Sequence, residues 1–194
     1  MFSGIIEKTA IAQKIEKGND IMRFYLPVPE GWKLTPGESI SIDGICSTVE
    51  KLSDGSFCVY YMPETIRKTH LNNTDGSHVF NLEKCLTLQT LIGGHLVSGH
   101  IDTTATVEKI EEEGESKVLT FKLKPGFTKY IIYKGSVAVN GVSLTIVEVR
   151  QDSFTISLIP HTLTHTNLGQ LQIGDTVNIE VDMIAKYLEK LQEK

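Results

Sequence analysis

The stretches 39-SISIDGICSTV-49 and 136-SVAVNGVSLTI-146 carry the same motif, 97 residues apart. Each stretch begins with residues whose side chains alternate in type, as in a β-strand. A turn dipeptide follows, Asp43-Gly44 or Asn140-Gly141, and then a run of residues rich in β-branched side chains. Asp-Gly and Asn-Gly favour type I′ turns, because both central residues of such a turn take positive φ. The motif therefore predicts a β-hairpin in each half of the chain.

The repeat extends beyond this hairpin. At the same offset of 97, 62-MPETIRKTHL-71 matches 159-IPHTLTHTNL-168 and 81-NLE-83 matches 178-NIE-180, while 3-SGIIEKTA-10 pairs with 98-SGHIDTTA-105 at an offset of 95. One module of about half the chain is therefore duplicated. A duplicated pocket can hold the same small molecule twice, and differences between the copies can give the two molecules different chemical roles.

The remainder of each copy is typical of short strands. Residues 57–61 and 154–158 are rich in apolar, aromatic and β-branched side chains, and each run is followed by a proline that suits the first turn of a short helix. Residues 177–181 close the second copy as a strand. About six strands per copy, with turns at regular spacing, predict a small closed barrel in each half.

Two segments predict helices. Residues 125–135 read as a short helix that ends at Gly135, and residues 183–194 read as an amphipathic helix with Ile184, Leu188 and Leu191 on one face. The second helix is too short to be stable alone. It therefore needs either its own barrel or copies of itself as a partner, and the sequence leaves both open. Gly93-Gly94 sets the expected boundaries: barrels at 1–92 and 93–182, and the helix at 183–194.

Composition narrows the class of protein. A chain of 194 residues with 40% hydrophobic and 22% charged residues is an ordinary globular protein. Its net charge of −5 argues against nucleic-acid and anionic-membrane partners. No secretory signal or membrane span is expected. The three cysteines lack CxxC spacing, which favours a reduced, cytoplasmic setting over a disulfide framework or a zinc site.

Positions that differ between the copies carry reactive side chains. A thiol that adds to an electrophilic carbon and an imidazole that moves protons near neutral pH are both useful to catalysis. Each residue also has a structural interpretation, since a single histidine such as His100 or His95 is most often structural. Thr48 and Thr145, kept in both copies, fit a strand role and a ligand-binding role equally. The differing pairs are Cys46/Ser143, His100/Ile5 and Lys134/Gly37.

Other chemistries find little support. His161 and His165 lie one helical turn apart, but no third ligand is evident, so no metal site is expected. No GxGxxG or GxxxxGK run follows Gly93-Gly94, and no GxSxG motif for a hydrolase nucleophile occurs.

These motifs, with the opening MFSGIIE, GGHLVSGHID at 93–102 and GDTVNIEVDMIAKYLEKL at 174–191, identify a resemblance to riboflavin synthases of the alpha-chain type. The resemblance covers essentially the whole chain. It implies two similar six-stranded antiparallel Greek-key barrels with a C-terminal helix, and a homotrimer held partly by those helices. It leaves an association with lumazine synthase open.

The reaction implied by the resemblance is a dismutation. Two molecules of 6,7-dimethyl-8-ribityllumazine exchange a four-carbon unit, giving riboflavin and a ribitylamino-pyrimidinedione, without a metal or an organic cofactor. The site is expected where the first barrel of one subunit faces the second barrel of a neighbour.

The family's functional positions carry over to two sets of residues. The first barrel is expected to bind substrate through Gly4, Ile5, Ile6, Cys46, Ser47, Thr48, Tyr60, Tyr61, Met62, Pro63, Glu64 and Thr65. The second is expected to use Gly99, His100, Ile101, Lys134, Ser143, Leu144, Thr145, Ser157, Leu158, Ile159, Pro160, His161 and Thr162. The candidates for catalysis are Cys46, Ser39 or a water as nucleophile, with His100, Ser143, Thr145 and Asp182 assisting proton movement.

Two departures from the family pattern fall in the first barrel. Ser47 replaces the family's usual leucine, and we expect this change to loosen the first site. The stretch 72-NNTDGSHVFNLE-83 departs from the family's usual sequence pattern, which the second half keeps at Gly174-Asp175. Two other functions compete with the enzyme: a chromophore carrier of the kind found in luminous bacteria, and a purely structural barrel protein. A carrier would bind lumazine without converting it, and a structural protein would not bind it.

Overall fold

The computed structural model describes residues 1–18 and 20–192 of the chain. The first repeat forms strands β1 (Lys8–Ile11), β2 (Lys14–Lys17), β3 (Met22–Pro27), β4 (Ser39–Ile42), β5 (Ile45–Ser53), β6 (Ser56–Tyr61) and β7 (Val79–Lys84). Helix α1 (Pro63–Lys68) follows β6, with its proline in the first turn as predicted. The sheet order is β1-β7-β4-β5-β6-β3-β2.

The second repeat forms strands β8 (Thr103–Glu113), β9 (Ser116–Leu123), β10 (Ser136–Val139), β11 (Val142–Val149), β12 (Ser153–Leu158) and β13 (Thr176–Val181). These strands close into a barrel in the order β10-β11-β12-β9-β8-β13, with α2 (Pro160–His165) after β12. The long strand β8 pairs with both β13 and β9. In the first repeat the strand is interrupted at Ala12-Gln13. Its two parts divide the pairing, so that β1 pairs with β7 and β2 pairs with β3.

The fold prediction is confirmed: the protein is mostly β, with two antiparallel barrel-like sheets, each equivalent to six strands, and a C-terminal helix. The prediction of a closed barrel in each half holds for the second repeat, whereas the sheet of the first repeat stays open, with β1 and β2 at its two edges. Both turn dipeptides have positive φ at each residue: 47° and 80° at Asp43-Gly44, and 45° and 80° at Asn140-Gly141. All-antiparallel pairing gives each strand one face toward a core and one toward solvent or the other repeat.

Each barrel has its own apolar core. Phe24, Phe57 and Phe80 are fully buried in the first, and Phe121 and Phe154 stack in the second with ring centroids 5.4 Å apart. Burying each such side chain contributes about 1.5–3 kcal/mol. Two separate cores explain how the faces between the repeats can carry polar groups without weakening either barrel.

The helix prediction for residues 125–135 is wrong in extent. Only Thr128–Tyr130 forms a helical turn, of the 3-10 type. Gly126 has φ of +92°, and Ile131 returns to an extended conformation and enters the core of the second barrel. Burial of Ile131 therefore outweighs the local helical pattern.

The predicted C-terminal helix is present as α3 (Met183–Gln192), and residues 193–194 of that prediction lie outside the described part of the chain. Glu189 contacts Lys129 and Tyr130, and Lys186 pairs with Asp102 at 2.9 Å, so the helix lies on its own second barrel. Ile184, Tyr187, Leu188 and Leu191 remain exposed. No helix in residues 1–18 or 20–192 has the length and apolar character needed to cross a membrane.

Candidate active site

Part of the predicted substrate-binding set lies on matching outer faces of the two barrels. On the first, Thr48 of β5, Tyr60 of β6 and Met62 are exposed, and on the second Thr145, Ser157 and Ile159 occupy the same places. Met62 and Ile159 are 60% and 57% exposed. Hydroxyl groups beside a large apolar side chain are what a planar heteroaromatic ring needs: partners for its polar edge and a wall against its face.

The predicted residues differ widely in exposure. The exposed ones are Ile5, Thr48, Tyr60, Met62, Glu64, His100, Lys134, Thr145, Ser157, Ile159, Pro160 and His161. Half-buried are Ile6, Ser39, Cys46, Pro63, Thr65, Ile101, Ser143, Leu144, Thr162 and Asp182, and fully buried are Gly4, Ser47, Tyr61, Gly99 and Leu158.

Two crossing segments, residues 1–6 and 97–101, link the repeats. The carbonyl of Gly99 accepts a hydrogen bond from the Cys46 amide at 2.8 Å, and the carbonyl of Gly4 accepts one from the Ser143 amide at 2.8 Å. Each segment thus lies against the opposite barrel. Ile101 packs on the first core and Ile6 on the second. This differs from the sequence assignment, which grouped 4–6 with the first barrel's site and 99–101 with the second.

Glycine is required where these segments cross. Gly99 has φ of +83°, and a Cβ added there would lie 2.6 Å from the Cys46 Cβ. Gly4 has φ of +75° and the same clash with Ser143. The sequence comparison by fixed offset aligns each segment with its own repeat, so it gives no signal that the segments exchange places.

Two buried carboxylates hold the crossing segments. Glu83 of β7 accepts the amides of Ser3 and Gly4 at 2.6 and 3.0 Å and the Ser3 hydroxyl at 2.7 Å. Glu180 of β13 does the same for Ser98 and Gly99. The crossing segments are therefore fixed in place before any ligand binds.

The second barrel contains a histidine–serine pair that sequence reasoning treated as structural. His95 Nδ1 lies 2.7 Å from the Ser143 hydroxyl. Burial lowers the pKa of His95, although the carboxylates of Asp182 and Glu180 oppose the shift. A neutral imidazole at this position can accept the proton of Ser143.

His100, the histidine that the sequence favoured, is exposed on the segment that crosses to the first barrel. Its amide donates to the Ser98 hydroxyl at 3.2 Å. The neighbouring Gly99 contacts Cys46, so the chain brings His100 to the barrel that carries the thiol. His95 therefore lies beside the Ser143 hydroxyl, whereas His100 lies on the segment that contacts Cys46.

The Cys46 thiol lies in an apolar setting. Cys46 packs against a small cluster formed by Phe2, Val97 and Ala138. Ser41 lies opposite Cys46 in the neighbouring strand. Ser39 lies opposite Thr48 at the open end of the same hairpin, so both nucleophile candidates stand on adjoining strands.

Ser47 does not leave the space that its small side chain suggested. Its hydroxyl points into the first barrel, where it is 2.7 Å from the Tyr61 hydroxyl. In the second barrel the same two positions hold Leu144 and Leu158. A serine–tyrosine pair thus replaces a leucine–leucine pair, and the larger Tyr61 offsets the smaller Ser47.

Two further candidates have structural contacts of their own. Asp182 Oδ1 accepts the Ile184 amide at 2.9 Å at the start of α3. It also lines a cavity of about 470 Å³ between α3 and the second barrel. Lys134 has φ of +62°, and its ammonium group lies over the Tyr133 ring, 5.2 Å from the centroid.

Comparison with known proteins gives the family context. The model of the lumazine binding domain matches twice, at residues 3–85 and 98–182. The chain is 42% identical to the riboflavin synthase of Bacillus subtilis (strain 168) over 196 residues, covering all of this chain and 91% of the relative. It is 36% identical to that of Escherichia coli (strain K12) over 185 residues, covering 94% of this chain and 87% of the relative.

Solved structures give the same fold. LumP complexed with riboflavin superposes with a TM-score of 0.88 at 27% identity, covering 94% of this chain and all of LumP. LumP complexed with 6,7-dimethyl-8-(1'-D-ribityl) lumazine superposes with a TM-score of 0.85, covering 93% of this chain and 99% of LumP.

Proposed function

The chain belongs to the lumazine-binding family that includes the riboflavin synthases, and we propose that it catalyses the dismutation of two molecules of 6,7-dimethyl-8-ribityllumazine. The products are riboflavin and 5-amino-6-ribitylamino-pyrimidinedione. The atoms of two substrate molecules equal those of the two products, so the transfer of four carbons requires neither oxidant nor reductant. The observation that carries the proposal is the full-length match to riboflavin synthases, together with the two matches to the lumazine binding domain.

The chemistry divides between the two faces. One lumazine must lose a proton from a methyl group, whose anion is delocalised into the ring, and the other must accept a nucleophile at an electrophilic ring carbon. The side chains available for the addition are Cys46 and Ser39 in the first barrel, and water is the third candidate. The groups available to move protons are Ser143 with its partner His95 in the second barrel, Thr145, and His100.

Positioning supplies a large share of the rate. Two rings held stacked in the reacting orientation avoid the entropy cost of meeting, which is worth several kcal/mol. The crossing segments, fixed by Glu83 and Glu180, give each face a rigid edge. We therefore place one lumazine on each type of face, with the first barrel of one subunit opposite the second barrel of another.

We propose that the assembly is a homotrimer built partly on α3. The exposed side chains of Ile184, Tyr187, Leu188 and Leu191 form an apolar surface on a helix that is otherwise held by its own barrel. Sedimentation equilibrium should give a trimer, and Leu188→Glu should shift it toward monomer with loss of turnover but not of fold. The three cysteines are free, as suits a cytoplasmic enzyme.

The test is a time course with purified protein and 6,7-dimethyl-8-ribityllumazine as the only substrate. Absorbance and fluorescence should report one riboflavin for every two lumazines consumed. Tight binding of lumazine without riboflavin formation would instead make the protein a chromophore carrier. Failure to bind lumazine would exclude both functions.

A further inference from the structure

The repeats also differ at a polar cluster whose cavity shares no residue with the predicted substrate-binding set. In the second repeat this cluster has two asparagines and one aspartate, at positions 140, 167 and 175. At the matching positions, 97 residues earlier, the first repeat has one aspartate and two histidines. The matched pairs are Asp43/Asn140, His70/Asn167 and His78/Asp175. The substitution of all three positions indicates a property that only the first repeat has.

The three side chains converge on one point. Asp43 Oδ2 lies 2.7 Å from His78 Nε2 and 3.1 Å from His70 Nε2, and the three ligand atoms all lie within 4.8 Å of one another. Asp43 is fully buried, His70 is 2% exposed and His78 is 26% exposed. Two imidazole nitrogens directed at one carboxylate oxygen form the donor set of a transition-metal site.

The cluster leaves a buried nitrogen without a proper partner. His70 Nε2 makes no hydrogen bond of acceptable geometry within the described part of the chain, although Asp43 Oδ2 is only 3.1 Å away. An imidazole nitrogen buried in this way costs free energy unless something else binds it. A cation between the two imidazoles and Asp43 would satisfy it.

The carboxylate is held in position from its other side. Asp43 Oδ1 accepts the Asn81 amide at 2.8 Å and the Asn167 side-chain amide at 2.9 Å. Fixed ligands of this kind raise metal affinity, because the protein has already restricted their orientation.

The site has an open side. A cavity of about 330 Å³ is bounded by both histidines and, across it, by Asn167, Gln170 and Asp175. None of the residues that line it belongs to the predicted substrate-binding set. An ion at the cluster therefore has a path of entry and room for water or a small anion.

We propose that Asp43, His70 and His78 bind one divalent transition-metal ion, with Zn²⁺ the best match, and that its fourth position opens to this cavity. Ligand atoms on tetrahedral zinc lie about 3.3 Å apart, so the shortest contact widens by about 0.6 Å on binding. The ion would join the Asp43-Gly44 turn to residues 70–78 and so brace the first barrel. No metal site was expected from the sequence, which pointed only to His161 with His165 and to the three cysteines, and favoured neither.

The experiment uses the full-length protein, stripped with a chelator and then titrated with ZnCl₂ in competition with a chromophoric chelator. We expect one Zn²⁺ per chain with a dissociation constant below about 10 µM. Zn²⁺ should also raise the melting temperature, while Mg²⁺ should not. A Co²⁺ spectrum with tetrahedral intensity would report the same site independently.

The repeat supplies the matched control. The variant Asp43→Asn/His70→Asn/His78→Asp installs the second repeat's residues at the same positions and should lose this zinc site while still forming riboflavin. His161→Gln/His165→Gln should keep it. Equal zinc binding by wild type and the triple variant, or no binding tighter than about 100 µM by wild type, would overturn the proposal.

If the triple variant does not fold, His78→Gln takes its place, because His78 is the most exposed of the three ligands. It should weaken zinc binding at least tenfold, and unchanged affinity would count against the site. Riboflavin formation by wild type is measured separately, so failure of the proposed function and failure of the zinc site give different results.

Discussion

The two barrels share the contacts that hold them together and differ in the groups they offer for chemistry. Glu83 and Glu180 accept the same three hydrogen bonds, and Gly4 and Gly99 cross at the same close distance. The reactive positions, in contrast, are a thiol in an apolar setting in the first barrel and a serine beside a neutral histidine in the second. Duplication thus preserves the geometry of a binding face, while single substitutions assign its chemistry.

The largest effect is expected from breaking the shared contact. Gly99→Ala places a Cβ 2.6 Å from the Cys46 Cβ and 2.8 Å from its backbone nitrogen, at a φ of +83°. The backbone of Cys46 can move away from this Cβ only at a large cost in energy. We therefore expect the free energy of unfolding, measured in urea, to fall by about 3 kcal/mol or more. Gly4→Ala should cost as much, since it meets Ser143 at the same distances.

Gly126→Ala is the matched control for strain alone. Gly126 has φ of +92° but no atom within 4 Å of an added Cβ. It should cost about 1 kcal/mol. If Gly126→Ala and Gly99→Ala lower the free energy of unfolding equally, the requirement for glycine at position 99 comes from its positive φ and not from its contact with Cys46.

The second largest effect concerns the chemical difference between the faces. We expect Cys46→Ser and His100→Gln each to reduce kcat about 10- to 100-fold in a folded trimer, because the orientation of the two rings survives either change. Ser143→Ala should fall in the same range, since it removes the hydroxyl that His95 contacts. The measurement is single-turnover riboflavin formation, with circular dichroism and sedimentation to establish fold and assembly.

Complete loss of activity in both Cys46→Ser and His100→Gln would contradict the view that positioning dominates. His165→Gln serves as a control on the second barrel's rim, because His165 lies outside the predicted substrate-binding set. Its ring is exposed and stacks on His161 at 4.1 Å, so kcat should change less than threefold.

A smaller effect tests the different interiors of the barrels. Tyr61→Phe removes the hydroxyl that pairs with Ser47, and Ser47→Ala removes the other partner; each should cost about 1 kcal/mol of stability. The double variant should cost less than the sum, because the second removal breaks no further bond between the pair. Strict additivity in this double-mutant cycle would mean that the Ser47–Tyr61 bond contributes nothing.

Sequence reasoning predicted the fold well because its evidence was local and repeated. The turn dipeptides, the prolines at α1 and α2 and the strands that end there each depend on neighbours in the chain. The helix expected at residues 125–135 failed for the opposite reason, since Ile131 is drawn into a core built by distant strands.

The sequence selects candidate site residues but does not show how they are connected, and the roles of those residues stay predictions. Cys46 and Ser143 follow from aligning the repeats, whereas the exchange of residues 1–6 and 97–101 between barrels is invisible to an alignment that matches each segment with its own copy. His95 was missed because a single histidine is most often structural, and the sequence does not show that it contacts Ser143. The cluster of Asp43, His70 and His78 did carry a signal, three substitutions at one offset, but only the fold shows that they meet.

The smallest effect concerns His95, the hydrogen-bond partner of Ser143 on the second barrel. Burial lowers the pKa of His95, and Asp182 and Glu180, which also face it, only partly oppose this. The unfolded chain therefore takes up a proton near pH 6.5 before the folded protein does, and stability contributed by neutral His95 is lost as pH falls below that value. His95→Gln should flatten the fall in the free energy of unfolding between about pH 7 and pH 5, by less than about 1.4 kcal/mol per pH unit. An unchanged slope in the variant would mean that His95 takes up its proton equally in the folded and unfolded states, and the neutral partner proposed for Ser143 would then be lost near pH 6.5.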